Sequence, residues 1–200
     1  EQIKWSDPEP ARKELKKIVS RFFQEHKNWE KVDEHDKPPA LGLKVPAGLG
    51  KTSAALDCIQ EFGSEILDRG HIFFYVPTLD LAVQAEKKFR KEKSKLPSMV
   101  LRGRGAINPK TNTTMCARAD YAKAIAQSVE SVTEAICQKR MPWGEVRKAP
   151  CAEGCPYLAQ KNKRKNRVIF LSHAYLVSRP PVKGNVALRI IDEKFWSVLA

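Results

Sequence analysis

Leu41-Gly42-Leu43-Lys44-Val45-Pro46-Ala47-Gly48-Leu49-Gly50-Lys51-Thr52 is the stretch that decides the fold. Residues Leu41 to Val45 read as a short strand that ends at Pro46-Ala47-Gly48. A helix is expected from Lys51 to about Phe62, with Ala54, Ala55, Leu56 and Ile59 on its apolar side. Gly48-Leu49-Gly50-Lys51-Thr52, set between strand and helix, has the composition and context of a phosphate-binding loop. Backbone N–H groups at a helix N-terminus can approach phosphates closely where glycine carries no Cβ. The expected nucleotide contacts are therefore Ala47, Gly48, Leu49, Gly50, Lys51 and Thr52, with Lys51 neutralising the β- and γ-phosphates of ATP and Thr52 coordinating Mg²⁺. The full loop pattern opens on glycine, and this chain has Val45 there.

Working outward, apolar segments alternate with helical patterns. Asp7 with Pro8 and Pro10 marks a helix start, and Leu15, Ile18, Val19, Phe22 and Phe23 follow at helical spacing. His71 to Val76 reads as a buried strand, Thr78 to Lys93 as a helix, and Ser98 to Arg102, Arg167 to Leu171 and Ala187 to Ile191 as further strands. Strands alternating with helices predict an α/β fold, a parallel sheet covered by helices on both faces. Arg189-Ile190-Ile191-Asp192-Glu193 supplies an acidic pair at a strand end. Downstream of a phosphate loop, Asp192 is expected to hold Mg²⁺ and Glu193 to orient and deprotonate the attacking water. Lys51, Asp192 and Glu193 are thus the candidate catalytic residues.

The 200 residues carry a net charge of +13, with 42% apolar side chains. At this length roughly 70% of the unfolded chain's surface can be buried, enough for a sizeable core and an insertion. No run is long and apolar enough for a membrane span, and Glu1-Gln2-Ile3-Lys4-Trp5 has no signal-peptide character. A non-secreted protein, cytoplasmic and nucleoid-associated or nuclear, is expected, excised from a longer chain. The positive excess lies after Asp80, in Lys87 to Lys95 with Arg102 and Arg104, and in Lys161 to Arg167. Such clusters suit nucleic-acid phosphates, though a solvated helix face has the same composition.

Between Gly103 and Gln160 apolar density falls and Cys, Asn, Pro and Gly accumulate around one expected helix, about Ala119 to Lys139. Residues 103–160 therefore read as an insertion. Of five cysteines, Cys58 sits among apolar helix positions as a small core residue. Cys116, Cys137, Cys151 and Cys155, with 20, 13 and 3 intervening residues, all fall inside the insertion. An odd cysteine count without secretory features argues against disulfides. Four thiolates in a core-poor segment can hold a four-iron four-sulfur (4Fe-4S) cluster or a structural Zn²⁺, or remain unligated, and spacing alone does not choose. His173 is expected to be a hydrogen-bonded structural residue. Trp143, Tyr157 and Trp196 are expected to pack in the core or at an edge, stacking on bases being the alternative.

Pro77-Thr78-Leu79-Asp80-Leu81-Ala82-Val83-Gln84 follows a strand as a backbone-contacting helicase motif does. Leu101-Arg102-Gly103-Arg104, Cys116, then Cys155-Pro156-Tyr157-Leu158, Val168 to Leu176 and Ile191-Asp192-Glu193 complete an ordered series. Over about Leu41 to Phe195 the chain resembles the superfamily two iron-sulfur DNA helicases of the XPD and DinG group. It departs from them at Ser172 in place of Asn, at Lys194-Phe195 in place of Ala-His, and in lacking a Gln-containing adenine motif.

The resemblance implies a RecA-like first motor domain, residues 41–102 and 161–200, preceded by a lead-in over residues 1–40. It implies ATP and Mg²⁺ as cofactors, 5′ to 3′ translocation on single-stranded or forked DNA, and a 4Fe-4S insertion that separates strands. Such motors hydrolyse ATP between two RecA-like domains, and these 200 residues alone are not expected to unwind DNA. Thr78, Arg102, Arg104, Lys161, Lys163, Arg164 and Lys165 are the implied DNA contacts. Two other functions use the same motifs: a P-loop ATPase that remodels nucleic-acid complexes with a Zn²⁺-stabilised insertion, and a non-catalytic nucleic-acid-binding module with decayed motor motifs.

Overall fold

The computed structural model describes residues 7–30, 33, 35–91, 94–160, 165–178, 180–193 and 195. Helix α1 spans Glu9–Asn28. Its start is closed by Asp7, whose Oδ1 accepts the Glu9 N–H at 3.0 Å, and Pro10 occupies an early position where no amide hydrogen is needed. Helix α2 follows at Lys51–Arg69, strand β1 at His71–Val76, helix α3 at Leu79–Lys91 and strand β2 at Ser98–Val100. The insertion then contributes α4 (Ala119–Ile125), α5 (Val132–Ile136), β3 (Gln138–Arg140), β4 (Val146–Lys148) and α6 (Pro156–Ala159). Strands β5 (Val168–Ser172) and β6 (Val186–Ile191) return the chain to the main sheet.

That sheet has the order β2-β5-β1-β6, with every pair parallel. Strand β1 is central and buried at all six positions, as a parallel strand covered on both faces must be. Its alternate side chains divide between two cores. Ile72, Phe74 and Val76 join Val168, Phe170 and Leu188 beneath α2 and α3, through Leu56, Ile59, Ile66, Ala82 and Phe89. Phe73 and Tyr75 join Ile169 and Leu171 on the opposite face, which is covered by Tyr175 and Leu176 of the 3₁₀ helix His173–Leu176 and by Val182. Helix α1 lies outside α2, inserting Leu15, Val19 and Phe23 into the first core. Burying a side chain the size of Phe23 stabilises by roughly 1.5–3 kcal/mol.

Three expectations are corrected. Residues 41–45 form no strand, and Leu41 and Leu43 are exposed. Their neighbour Val45 alone packs against the core, so the pattern that reads as a strand leads into the loop without sheet pairing among the described residues. The single helix expected over 119–139 is two short ones. Ser131 restarts it, its Oγ accepting the Glu134 N–H at 3.3 Å. Ser131-Val132-Thr133-Glu134 is the Ser-x-x-Glu pattern of a capping box, a signal present in the sequence. Helix α2 runs one to two turns past Phe62, because Phe62, Ile66 and Leu67 continue its buried face.

The insertion contributes to neither core cluster. Its buried side chains are Met115, Cys116, Ala122, Cys137 and Cys155, with Asn108 and Gln160. No helix among the described residues is long and apolar enough to cross a membrane.

Candidate nucleotide site and cysteine insertion

Two glycines shape the loop before α2. Gly48 has φ +81° and Gly50, at the helix start, φ +88°, conformations that side chains with a Cβ rarely adopt. The turn leads directly into α2, whose first N–H groups have no intrahelical acceptor. Lys51 folds back over this loop, its Nζ donating to the carbonyls of Val45 at 3.3 Å and Pro46 at 3.2 Å. These weak, partly exposed contacts hold the ammonium where an anion arriving at the α2 N-terminus would meet it.

Thr52 connects the loop to the acidic pair. Its hydroxyl donates to the Asp192 carboxylate, across 140 positions of sequence. Asp192 is positioned by the sheet, since its N–H donates to the Tyr75 carbonyl at 2.9 Å, continuing the β1–β6 pairing by one residue. His173 is buried and its Nε2 donates to the Asp192 carbonyl at 2.9 Å, so it is the hydrogen-bonded structural histidine anticipated above. Glu193 follows with φ +65°, a left-handed conformation uncommon for a non-glycine residue, and it is exposed. A hydroxyl and a carboxylate brought together at a phosphate-shaped loop are a suitable donor set for a hard divalent cation.

Two residues here carry no sequence motif. Arg12 and Lys16 of α1 border a cavity of about 370 Å³ together with Leu15, Gly48, Leu49 and Ser53. Arg12 also reaches the Gly48 carbonyl, at 3.5 Å. Their only sequence signal is a pair of basic residues one turn apart on the helix that precedes the loop.

The implied DNA contacts are scattered. Thr78 is exposed, but its Oγ1 accepts the Leu81 N–H at 3.2 Å and so caps α3. Arg102 is half-buried and Lys165 exposed, while Lys161, Lys163 and Arg164 lie outside the described residues, as do Trp196 and Lys194. Arg104 turns into the insertion. Its guanidinium stacks on Tyr157 at 4.1 Å and donates to Thr133 Oγ1 at 2.8 Å, to Cys137 Sγ at 3.3 Å and to Cys116 Sγ at 3.8 Å. Burial holds the Tyr157 hydroxyl above its ordinary pKa, offset in part by the Arg104 charge.

The cysteines divide as anticipated between core and insertion. Cys58 is a buried residue of α2. Cys116, Cys137 and Cys155 are buried and Cys151 half-buried, and none is in a disulfide. Soft thiol donors in a segment without an apolar core fit an iron-sulfur or zinc centre in their chemistry. Among the described residues no three His, Cys, Asp or Glu side chains are already grouped to hold a metal ion. Cys116 and Cys137 share the Arg104 guanidinium. Trp143 also departs from expectation, standing 65% exposed instead of packed.

Comparison with curated proteins and with solved structures finds no match. The family model described as the type III restriction enzyme, res subunit, matches residues 11–172, from α1 through β5 and across the phosphate loop and insertion. With a four-stranded parallel α/β sheet of RecA-like type behind that match, the chain belongs to this res-subunit family, a superfamily two helicase-type N-terminal domain.

Proposed function

We propose that this domain binds and hydrolyses Mg·ATP to drive movement along single-stranded DNA, with residues 41–102 and 161–200 as motor and residues 103–160 as an inserted unit. The Thr52 to Asp192 hydrogen bond carries the reading, because it joins the phosphate loop to the acidic pair in one site. In this mechanism the α2 N-terminus and Lys51 bind the β- and γ-phosphates, Lys51 exchanging two backbone carbonyls for anionic oxygens. Thr52 and Asp192 would hold Mg²⁺, which supplies charge neutralisation on the phosphate oxygens when bound. Glu193 orients the attacking water and accepts its proton. The cavity beside Arg12, Leu15 and Lys16 suits the rest of the nucleotide.

Arg102 and Lys165, with Lys161, Lys163 and Arg164, are proposed to contact DNA phosphates without base selectivity. The four insertion cysteines are proposed as ligands of a 4Fe-4S cluster. Support comes from their shared segment, from the burial of Cys116, Cys137 and Cys155, and from the small apolar content of that segment's interior, where Met115 and Ala122 are the other buried apolar residues and neither core cluster reaches. The XPD and DinG likeness and 5′ to 3′ polarity belong to the same proposal.

ATP hydrolysis by the purified chain, with and without single-stranded DNA, tests the motor. Hydrolysis lost in Lys51→Ala and in Glu193→Gln, with nucleotide binding retained in Glu193→Gln, supports it; hydrolysis unchanged in both rejects it. Iron, zinc and sulfide content after anaerobic purification tests the insertion. About four irons and four sulfides per chain are expected, and zinc without sulfide would reject the cluster.

A further inference from the structure

The insertion's hairpin is built around an exposed tryptophan. Strands β3 and β4 pair antiparallel, with Gln138 opposite Lys148, Lys139 opposite Arg147 and Arg140 opposite Val146. The loop Pro142-Trp143-Gly144 is fixed by two backbone bonds, Gly144 N–H to the Met141 carbonyl at 2.9 Å and Met141 N–H to the Glu145 carbonyl at 2.8 Å. Proline after the first turn residue and a left-handed Gly144 at φ +91° are the residues a three-residue hairpin loop requires. Trp143 therefore stands at a defined tip, and its Nε1 donates to Glu145 Oε2 at 2.9 Å, orienting the ring.

The strands oppose their own pairing. Lys139 and Arg147 face each other directly, and like charges across a strand pair are destabilising. Arg140 and Lys148 add two more exposed cations. Glu145 is the single acid of the hairpin, and its carboxylate is shared between Trp143 Nε1 and Arg147 Nε at 3.3 Å. A two-stranded ribbon is marginal by itself in water. One that concentrates positive charge below an exposed indole is best stabilised by a ligand that supplies both anions and flat aromatic faces.

We propose that the β3–β4 hairpin is a binding site for single-stranded nucleic acid, Trp143 stacking on a base while Lys139 and Arg147 on one face of the ribbon, and Arg140 and Lys148 on the other, offer cations to the flanking phosphates. It rests on the reading of the chain as a nucleic-acid motor. Stacking of this kind tolerates any base, and the phosphate contacts make binding salt-dependent. The four cations are complementary to a strand that carries one negative charge per nucleotide and presents its bases unpaired.

The test is binding of the whole 200-residue chain to fluorescein-labelled oligo(dT) and oligo(U), followed by anisotropy, with intrinsic tryptophan fluorescence in parallel. Wild type is expected to bind with quenching, and the quenching assigned to Trp143 is the part missing in Trp143→Phe. Trp143→Ala should weaken binding at least about fivefold, Trp143→Phe should restore part of it, and Lys139→Glu with Arg147→Glu should weaken it and flatten its salt dependence. Trp143 is exposed, so the variants are expected to keep wild-type circular dichroism. Wild-type affinity in both Trp143→Ala and the double charge variant overturns this inference alone, leaving the motor reading in place. No oligonucleotide binding by wild type overturns both. A Trp143 response to phosphatidylserine vesicles but not to oligonucleotides overturns the inference in favour of a membrane surface.

Discussion

The side-chain amide of Gln160 pairs with both backbone polar groups of Arg102. Its Oε1 accepts the Arg102 N–H at 2.9 Å, its Nε2 donates to the Arg102 carbonyl at 3.0 Å, and the same nitrogen reaches the Tyr157 carbonyl at 3.3 Å. Gln160 is buried, and it stands 58 positions after Arg102, at the far end of the segment that joins β2 to β5. The amide thus imitates a strand neighbour and fastens the two ends of that segment together. Gln160→Ala removes the partner of the half-buried Arg102 N–H and C=O and should destabilise by about 1 kcal/mol. Urea unfolding checks this, and an unchanged midpoint would refute the clasp.

Nucleotide should act on stability through Lys51. Mg·ATP at about a hundred times its dissociation constant should stabilise the fold by about 2.7 kcal/mol. Lys51→Ala should abolish most of that gain while changing the ligand-free protein little, because the contacts of Nζ to Val45 and Pro46 are long and partly exposed. Asp192→Asn should shift the dependence on Mg²⁺ concentration to higher values. Differential scanning calorimetry with ATP, with and without a chelator, separates these effects; an equal ATP-induced shift in Lys51→Ala would sink the assignment.

Legibility from sequence followed the physical source of each feature. Strand β1 has the bounds expected from its apolar run, because a strand buried on both faces must be apolar throughout. The loop at Gly48 and Gly50 was legible because its backbone conformation demands glycine. Leu41 to Val45 misled, since alternating apolar residues specify a strand only where a partner edge receives them. Ser131 and Glu134 carried a capping signal that a long helical pattern concealed. Arg12 and Lys16 were hidden because their place beside the loop is set by how α1 packs on α2, a tertiary fact without a local pattern. Trp143 was expected to pack, the commoner fate of tryptophan, and only the loop geometry shows it at a tip.

Thiol reactivity should rank by burial. Burial, and after it the nearby Glu61 and Asp57 carboxylates, push the Cys58 thiol up to about 11, so almost none is thiolate at pH 8. Cys151 is the one half-buried cysteine. In metal-free native protein, maleimide at pH 8 should label Cys151 first and Cys58 last, with Cys58 reacting readily only in denaturant. Mass spectrometry of timed digests reads the order, and early labelling of Cys58 would contradict its place in the core.

Acid should weaken the junction of α1 and α2 through His26. The ring is buried, and Arg69 surrounds it: Nη1 donates to the Trp29 carbonyl at 2.8 Å, and Nη2 to the His26 carbonyl at 2.7 Å and to His26 Nδ1 at 3.3 Å. Burial, and then the Arg69 charge, lower the His26 pKa from its ordinary 6.5. Between the lowered folded value and 6.5 the unfolded chain binds a proton that the folded chain does not, so stability rises with pH across that window. The contribution is complete above 6.5 and is lost as pH falls below it, with a slope of at most about 1.4 kcal/mol per pH unit. Protonation at Nδ1 would also replace an accepted hydrogen bond by a charge facing the guanidinium. His26→Gln keeps a polar side chain of similar reach but cannot titrate. Urea unfolding of both proteins at pH 5.5 and 7.5 should show a larger acid loss in wild type than in His26→Gln, and equal losses would place the titrating group elsewhere.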